Sequence, residues 1–156
     1  MCIRDRPIVS LVDEPGFLIG PEAESEATIL YCTEAVLAVT ESTVPWSTVM
    51  IRKSFGVAAA AHYGPDGYVL AWPSAESGPL PLEGGVAVAF KKEIESAKDP
   101  EAKRKEIEQK MSKNQNPFTR AESFSVHEII DPRKTRFYLS SWAERIQPQM
   151  KAKLFK

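Results

Sequence analysis

Residues 43–62, "TVPWSTVMIRKSFGVAAAAH", carry the segment that decides the fold. The β-branched run in "STVMIRK" reads as a strand, and Gly56, Val57 and four alanines read as a short helix that starts almost at once. A strand that passes through a glycine into a helix is the middle of a βαβ unit. Gly56 can adopt backbone angles closed to other residues, and alanine has almost no side chain, so main chain comes close to something here. That neighbour is either another packed element or a ligand.

Working outward, "PIVSLVDEPGF" (residues 7–17) places Ile8, Val9, Leu11 and Val12 in a near-continuous apolar strand of the kind buried on both faces. Gly16 and Gly20 then turn the chain, and Pro21 opens a helix with Glu22, Glu24 and Glu26 at its positive end. This helix is expected to reach about Glu41, with Ile29, Leu30, Val36, Leu37 and Val39 inward and Glu34 and Glu41 outward. On the other side, "GYVLAWP" (67–73) is a third strand and "PLEGGVAVAFKKEIESAK" (81–98) one helix. Asp99 and Pro100 supply a cap and first position for a peripheral helix whose apolar stripe is only Ile107 and Met111. Asp131 and Pro132 repeat that signal before the last segment, where Ile129, Ile130, Tyr138, Leu139 and Trp142 are packing residues. The class is α/β, with parallel strands joined by helical crossovers.

The chain has 156 residues, 43% hydrophobic and 26% charged, which suits one domain with a real core. Twenty basic against 21 acidic residues give a net charge of −1, so neither nucleic acid nor an anionic membrane is an expected partner. Cys2 and Cys32 have no partners at metal-ligand spacing, which supports neither a disulfide framework nor a metal site and points to a reducing, cytoplasmic setting. No apolar run approaches the roughly 20 residues that cross a bilayer. "MCIRDR" (1–6) runs without a turn signal into the first strand and reads as a non-native leader on a chain cut inside its domain. The domain itself is expected over 7–147, followed by a basic tail at 148–156 in which Lys151 is a surface residue.

Side-chain catalysts are missing from the pattern. There is no G-x-S-x-G elbow, only half of one in "KSFG", and His62 and His127 have no fixed nucleophile or carboxylate partner, so both read as structural. No P-loop or G-x-G-x-x-G occurs, and "KKEIESAKDPEAKRKEIEQK" balances its charges as a solvated helical face does. What remains is main chain. A helix starting at Gly56, with Val57, Ala58 and Ala59 next, presents unpaired backbone N–H groups, which is how an oxyanion hole is built. Tight helix-sheet packing would also select Gly and Ala.

Taken together and in order, "VDEPGFLIGPEAE", "TVPWSTVMIRKSFGVAAAAH", "YVLAWPSAE", "EGGVAVAF" and "NPFTRAESFSVHEIIDPRKTR" closely resemble the C-terminal half of the carboxyltransferase (beta) component of biotin-dependent acyl-CoA carboxylases, the propionyl-CoA and acetyl-CoA type. The resemblance implies a crotonase-like (ClpP/crotonase) domain, here N-terminally truncated. It implies an active site shared with the N-terminal carboxyltransferase domain of a neighbouring subunit in a homo-oligomer. Its cofactor is biotin, arriving as carboxybiotin on a biotin carboxyl carrier or biotin carboxylase subunit, and its substrate is an acyl-CoA that receives the carboxyl group at its α-carbon. On this chain the resemblance makes Val57 and Ala58, after Gly56, the backbone oxyanion hole for the biotin urea oxygen, with Ala59 as the alternative donor. Phe17, Ile19 and Gly20 fall on the loop near the biotin, although "PGFLIGP" also reads simply as a turn and helix start. A biotin-dependent decarboxylase would use the same half-site in reverse, and an inactive fragment or interaction domain is the non-enzymatic alternative.

Overall fold

A computed structural model describes residues 6–154. The expected leader, apart from Arg6, and the last two residues of the tail lie outside the described residues. Five parallel strands form one sheet: β1 (Ile8–Glu14), β2 (Trp46–Phe55), β3 (Tyr68–Ala71), β4 (Glu76–Gly78) and β5 (Glu128–Ile129). The ten-residue β2 organises them. It pairs with β1 along one edge, while β3 pairs with its first half and β4 with its last three residues along the other, and β5 adds beyond β3. The α/β reading and the parallel crossovers hold. β4 is new relative to the sequence, since three residues are too few to show a period.

Register separates the two faces of the sheet. Val49 and Leu70 are opposite each other, point the same way, and pack with Ile130 against Tyr138 and Leu139 of the long helix α8 (Thr135–Leu154). Met50, Val69 and Ala71 point the other way and pack with Ala75 and Val126, under Tyr63 and Ala121. Helix α6 (Pro100–Ser112) lies outside, packed on α4 (Leu82–Ala89) and α5 (Lys91–Glu95). Asp99 caps it as expected, its carboxylate accepting the amides of Glu101 and Ala102. Ile107 is its buried residue.

Four expectations need correction. β1 is not buried on both faces: it is an edge strand among the described residues, and Val9 and Leu11 stay exposed on the side where α8 covers Val49 of β2 and Leu70 of β3. The helix expected over 21–41 is two, α1 (Pro21–Ser25) and α2 (Thr28–Thr40), parted at Ala27 with φ +56°. That break turns α2 so that Val36 and Val39 are half-buried while Ile29, Leu30 and Leu37 face outward. The helix expected over 81–98 likewise divides at Phe90 into α4 and α5. Finally, α8 runs through Pro148 to Leu154, so residues 148–154 are helix rather than tail. Proline removes one amide from the ladder, and the turns on either side carry the helix across.

A candidate backbone half-site at the Gly56 turn

β2 delivers Phe55, which is 1% exposed, to the end of the sheet, and Gly56 turns the chain at φ +65° into α3 (Gly56–Ala60). A β-carbon on Gly56 would meet the Pro79 carbonyl oxygen at 3.5 Å, an ordinary contact. Glycine is therefore required by the left-handed conformation and not by lack of space. Helix α3 packs on β1, β2 and α2. Its small residues divide between the two explanations that the sequence allowed. Ala58 and Ala59 are buried against these elements, so their size serves packing, whereas Val57 is 64% exposed.

Gly56 and Val57 form one wall of an apolar cavity of about 550 Å³. Phe17 and Ile19 enter it from the loop after β1, Pro79 and Leu80 from the loop after β4, and Val88 from α4. Its volume lies within the roughly 300–1,000 Å³ of small-molecule sites. Four of the seven candidate residues thus meet in one place. Gly20 does not join them, being the residue before α1 with φ +116°. Ala58 lies below the surface, and Ala59 faces a second cavity. Pro79, Leu80 and Val88 could not be read as site residues, because they come from a turn and a helix 23 to 32 positions beyond Gly56.

The second cavity, about 260 Å³, is on the other side of the same turn and is polar. Ser54, Tyr63, Ser77 and Arg120 line it with Gly56 and Ala59. The Ser54 and Tyr63 hydroxyls are 2.8 Å apart, and Arg120 Nε donates to Ser77 Oγ at 3.0 Å. Burial raises the Tyr63 pKa above the usual phenol value, with Ser54 and Arg120 pulling the other way, so the hydroxyl is protonated at neutral pH.

The surroundings fix this turn in place. Asp13 at the end of β1 accepts Arg52 Nε through both oxygens at 3.1 Å and the Lys53 amide at 3.2 Å. These bonds, led by that from Arg52, hold the Asp13 pKa below the usual carboxylate value. His62 and His127 both take part in hydrogen bonds within the fold. His62 Nδ1 is 2.9 Å from Ser10 Oγ, and the His62 carbonyl accepts Trp46 Nε1 and Thr48 Oγ1. His127 Nδ1 accepts the Val69 amide at 3.0 Å. Among the described residues no cluster of His, Cys, Asp and Glu could hold a metal, and no helix is long and apolar enough to cross a membrane.

Chemically, the apolar cavity offers shape, an apolar surface and the main chain of a helix start rather than an acid, base or nucleophile. Residues 1–154 match the family model described as the carboxyl transferase domain. The chain is 39% identical over 135 residues to the propionyl-CoA carboxylase carboxyltransferase subunit of Haloferax mediterranei, covering 83% of this chain and 26% of that protein. It is also 39% identical over 142 residues to the methylmalonyl-CoA carboxyltransferase 12S subunit of Propionibacterium freudenreichii, covering 88% and 27%. The structure of the transcarboxylase 12S hexamer, with methylmalonyl-coenzyme A and methylmalonic acid bound, superposes with a TM-score of 0.79 at 37% identity, covering 91% of this chain and 28% of that one. The chain therefore spans about a quarter of the length of these relatives. Its parallel sheet with helical crossovers is a crotonase-like carboxyltransferase fold, and the chain belongs to the carboxyl transferase domain family.

Proposed function

We propose that this chain supplies the biotin-binding half of a carboxyltransferase site, at which a carboxyl group moves from carboxybiotin to the α-carbon of an acyl-CoA. One observation carries the proposal: Phe17 and Ile19 converge with Gly56 and Val57 on a single apolar cavity at the start of α3. The fit to biotin is chemical. An apolar bicyclic body suits Phe17, Ile19, Leu80 and Val88, and a urea carbonyl is the kind of acceptor that backbone amides at a turn can hold.

Biotin supplies the reactive chemistry when bound, carrying the carboxyl group and serving as the base towards the acyl-CoA. The chain's residues bind and position it. The first amides of a helix have no partner within the helix, so the amides of Val57, which lines the cavity, and of Ala58, the next residue, are the donors this reading assigns to the urea oxygen. Val57 faces the cavity directly and is the leading donor, with Ala58 behind it. Because α3 has only five residues, the donors act as two aimed hydrogen bonds more than through a helix dipole. Ile19, Val57 and Val88 are exposed in the chain by itself, so the bound biotin and the neighbouring domain would have to exclude water, which would strengthen those bonds as negative charge grows on the oxygen. Gly20 sets the path of the loop, and Ala59 is the alternative donor if the register is one residue later.

The acyl-CoA would be held by the N-terminal carboxyltransferase domain of a neighbouring subunit in a cytoplasmic homo-oligomer, and the biotin would arrive on a carrier subunit. A decarboxylase would use the same half-site in the other direction. The chain alone is expected to be inactive. The proposal is tested by replacing the matching segment of the Propionibacterium freudenreichii 12S subunit with this chain. A hexamer that transfers carboxyl groups between biotin and an acyl-CoA supports the reading. A hexamer that assembles, binds acyl-CoA and transfers nothing refutes it.

A further inference from the structure

The polar cavity behind the Gly56 turn has a composition that carboxyl transfer in the apolar cavity does not use. It contains a guanidinium, the hydroxyls of Ser54, Ser77 and Ser125 and a half-buried phenol, and no carboxylate lines it. Arg120 Nε is committed to Ser77 Oγ, and among the described residues no carboxylate pairs with this arginine. Its terminal amino groups are therefore left to donate. Because Ser77 accepts from Arg120, its own hydroxyl proton is free to point into the cavity. Within the Ser54 and Tyr63 pair one hydroxyl proton is used between them and the other is available. Ser125 Oγ, at the exposed edge, is 3.1 Å from Ser123 Oγ and can donate as well, so no side chain in the cavity is an obligate acceptor, and the fixed charge is a single positive one.

We propose that this cavity is a binding site for a small monovalent oxyanion of the carboxylate class, such as acetate or bicarbonate, held by Arg120, Ser77 and the Ser54–Tyr63 pair. A guanidinium holds a planar carboxylate through two parallel hydrogen bonds, and such charge-assisted bonds are about twice as strong as neutral ones. One guanidinium balances one negative charge, so a monoanion fits better than a phosphate dianion. The cavity of about 260 Å³ suits an anion of a few heavy atoms. Tyr63 remains a donor at neutral pH because burial keeps it protonated. The site meets the apolar cavity only at Gly56, and it stands whether or not that cavity binds biotin.

The test uses this chain, followed by circular dichroism during thermal unfolding. Sodium acetate or sodium bicarbonate is titrated at constant ionic strength made up with sodium chloride. A ligand bound only by the folded state raises the midpoint in a saturable way. The expected result is a saturable rise with both oxyanions and none with chloride alone. Acetate and bicarbonate separate the sources: a rise with bicarbonate at least tenfold lower in concentration identifies free bicarbonate as the natural ligand, and parity identifies the carboxylate group of a larger molecule. Arg120→Gln should abolish the rise, and Arg120→Lys should keep the charge but weaken binding about tenfold through loss of the paired bonds. If Arg120→Gln does not unfold cooperatively, Ser77→Ala, which keeps the charge and removes its anchor, should weaken binding severalfold. A linear or absent response, an equal response to chloride, or an unchanged response in the variants overturns the proposal and makes Arg120 a structural link between α7 (Pro117–Glu122) and β4.

Discussion

On one side of the Gly56 turn the chain sets Phe17, Ile19, Leu80 and Val88, and on the other Ser54, Tyr63, Ser77 and Arg120. The same five-residue helix divides them. The apolar side has donors only in its main chain, where they add hydrogen bonds without polar side chains that would need partners of their own. The polar side has donors in its side chains and a fixed charge. A ligand with a large apolar body and one acceptor suits the first side, and a small hydrophilic anion suits the second. The difference shows that the small residues of "GVAAAAH" are not all present for one reason: Gly56 makes the turn, Val57 faces the apolar cavity, and Ala58 and Ala59 let the helix settle on the sheet.

The largest expected effect comes from removing the dividing turn. Gly56→Val, in the 12S chimera, forces a β-branched residue to φ +65° at a cost of about 1–2 kcal/mol, and it displaces both cavity walls. Carboxyl transfer should fall below detection while the hexamer still forms, with the melting temperature lowered by a few degrees. Near-normal turnover would make Gly56 a packing residue. Next comes the apolar wall alone. Phe17→Ala should raise KM for carrier-borne biotin about tenfold with kcat little changed, since it removes contact made before and during reaction alike. Loss of kcat instead would place Phe17 against the reacting atoms.

Outside the two cavities the effects should be smaller. Asp99→Ala removes the carboxylate that accepts the Glu101 and Ala102 amides and should cost about 1 kcal/mol of stability in a melt, with turnover unchanged. The smallest effect is on acid stability. The Arg133 side chain beside Asp131 lowers its pKa from 3.8 to about 2 in the folded state. A depressed folded pKa contributes stability above the unfolded value, and that contribution is lost as pH falls from 3.8 through about 2. Both groups are solvent-exposed, so Asp131→Asn should flatten this part of an acid unfolding curve only slightly.

Much of this arrangement is legible along the chain, and the reasons differ by element. β2 and β3 could be read because their β-branched and apolar runs are buried in the sheet, so local pattern and tertiary environment agree. The caps at Asp99 and Asp131 were readable because a side chain two or three positions away satisfies a backbone amide. α2 could not be oriented because its apolar residues occupy most of its circumference, and only the break at Ala27 selects the half that faces in. β1 looked buried because a strand with apolar residues on both faces gives the same pattern whether or not a neighbour covers it. Its open face, with Leu11 at 58% exposure and Ile29 and Leu30 of α2 also exposed, predicts that the chain alone self-associates at micromolar concentration in sedimentation velocity. At the site, Gly56 and Val57 were readable from strand, glycine and helix in succession. Arg120 was not, since it meets Ser77 from 43 residues away and no local spacing signals it.

The central claim is that main-chain donors at the Gly56 turn hold the charge that develops in carboxyl transfer. It is tested most directly by turnover of the 12S chimera carrying Val57→Pro, Ala58→Pro or Ala59→Pro, each of which removes one amide proton. Thermal melts and acyl-CoA binding identify the variants that remain folded. Val57→Pro or Ala58→Pro is expected to lower kcat by roughly two to three orders of magnitude, the usual cost of losing one oxyanion donor, with acyl-CoA affinity unchanged and Ala59→Pro much milder. Equal and small losses at all three positions in folded hexamers would contradict it.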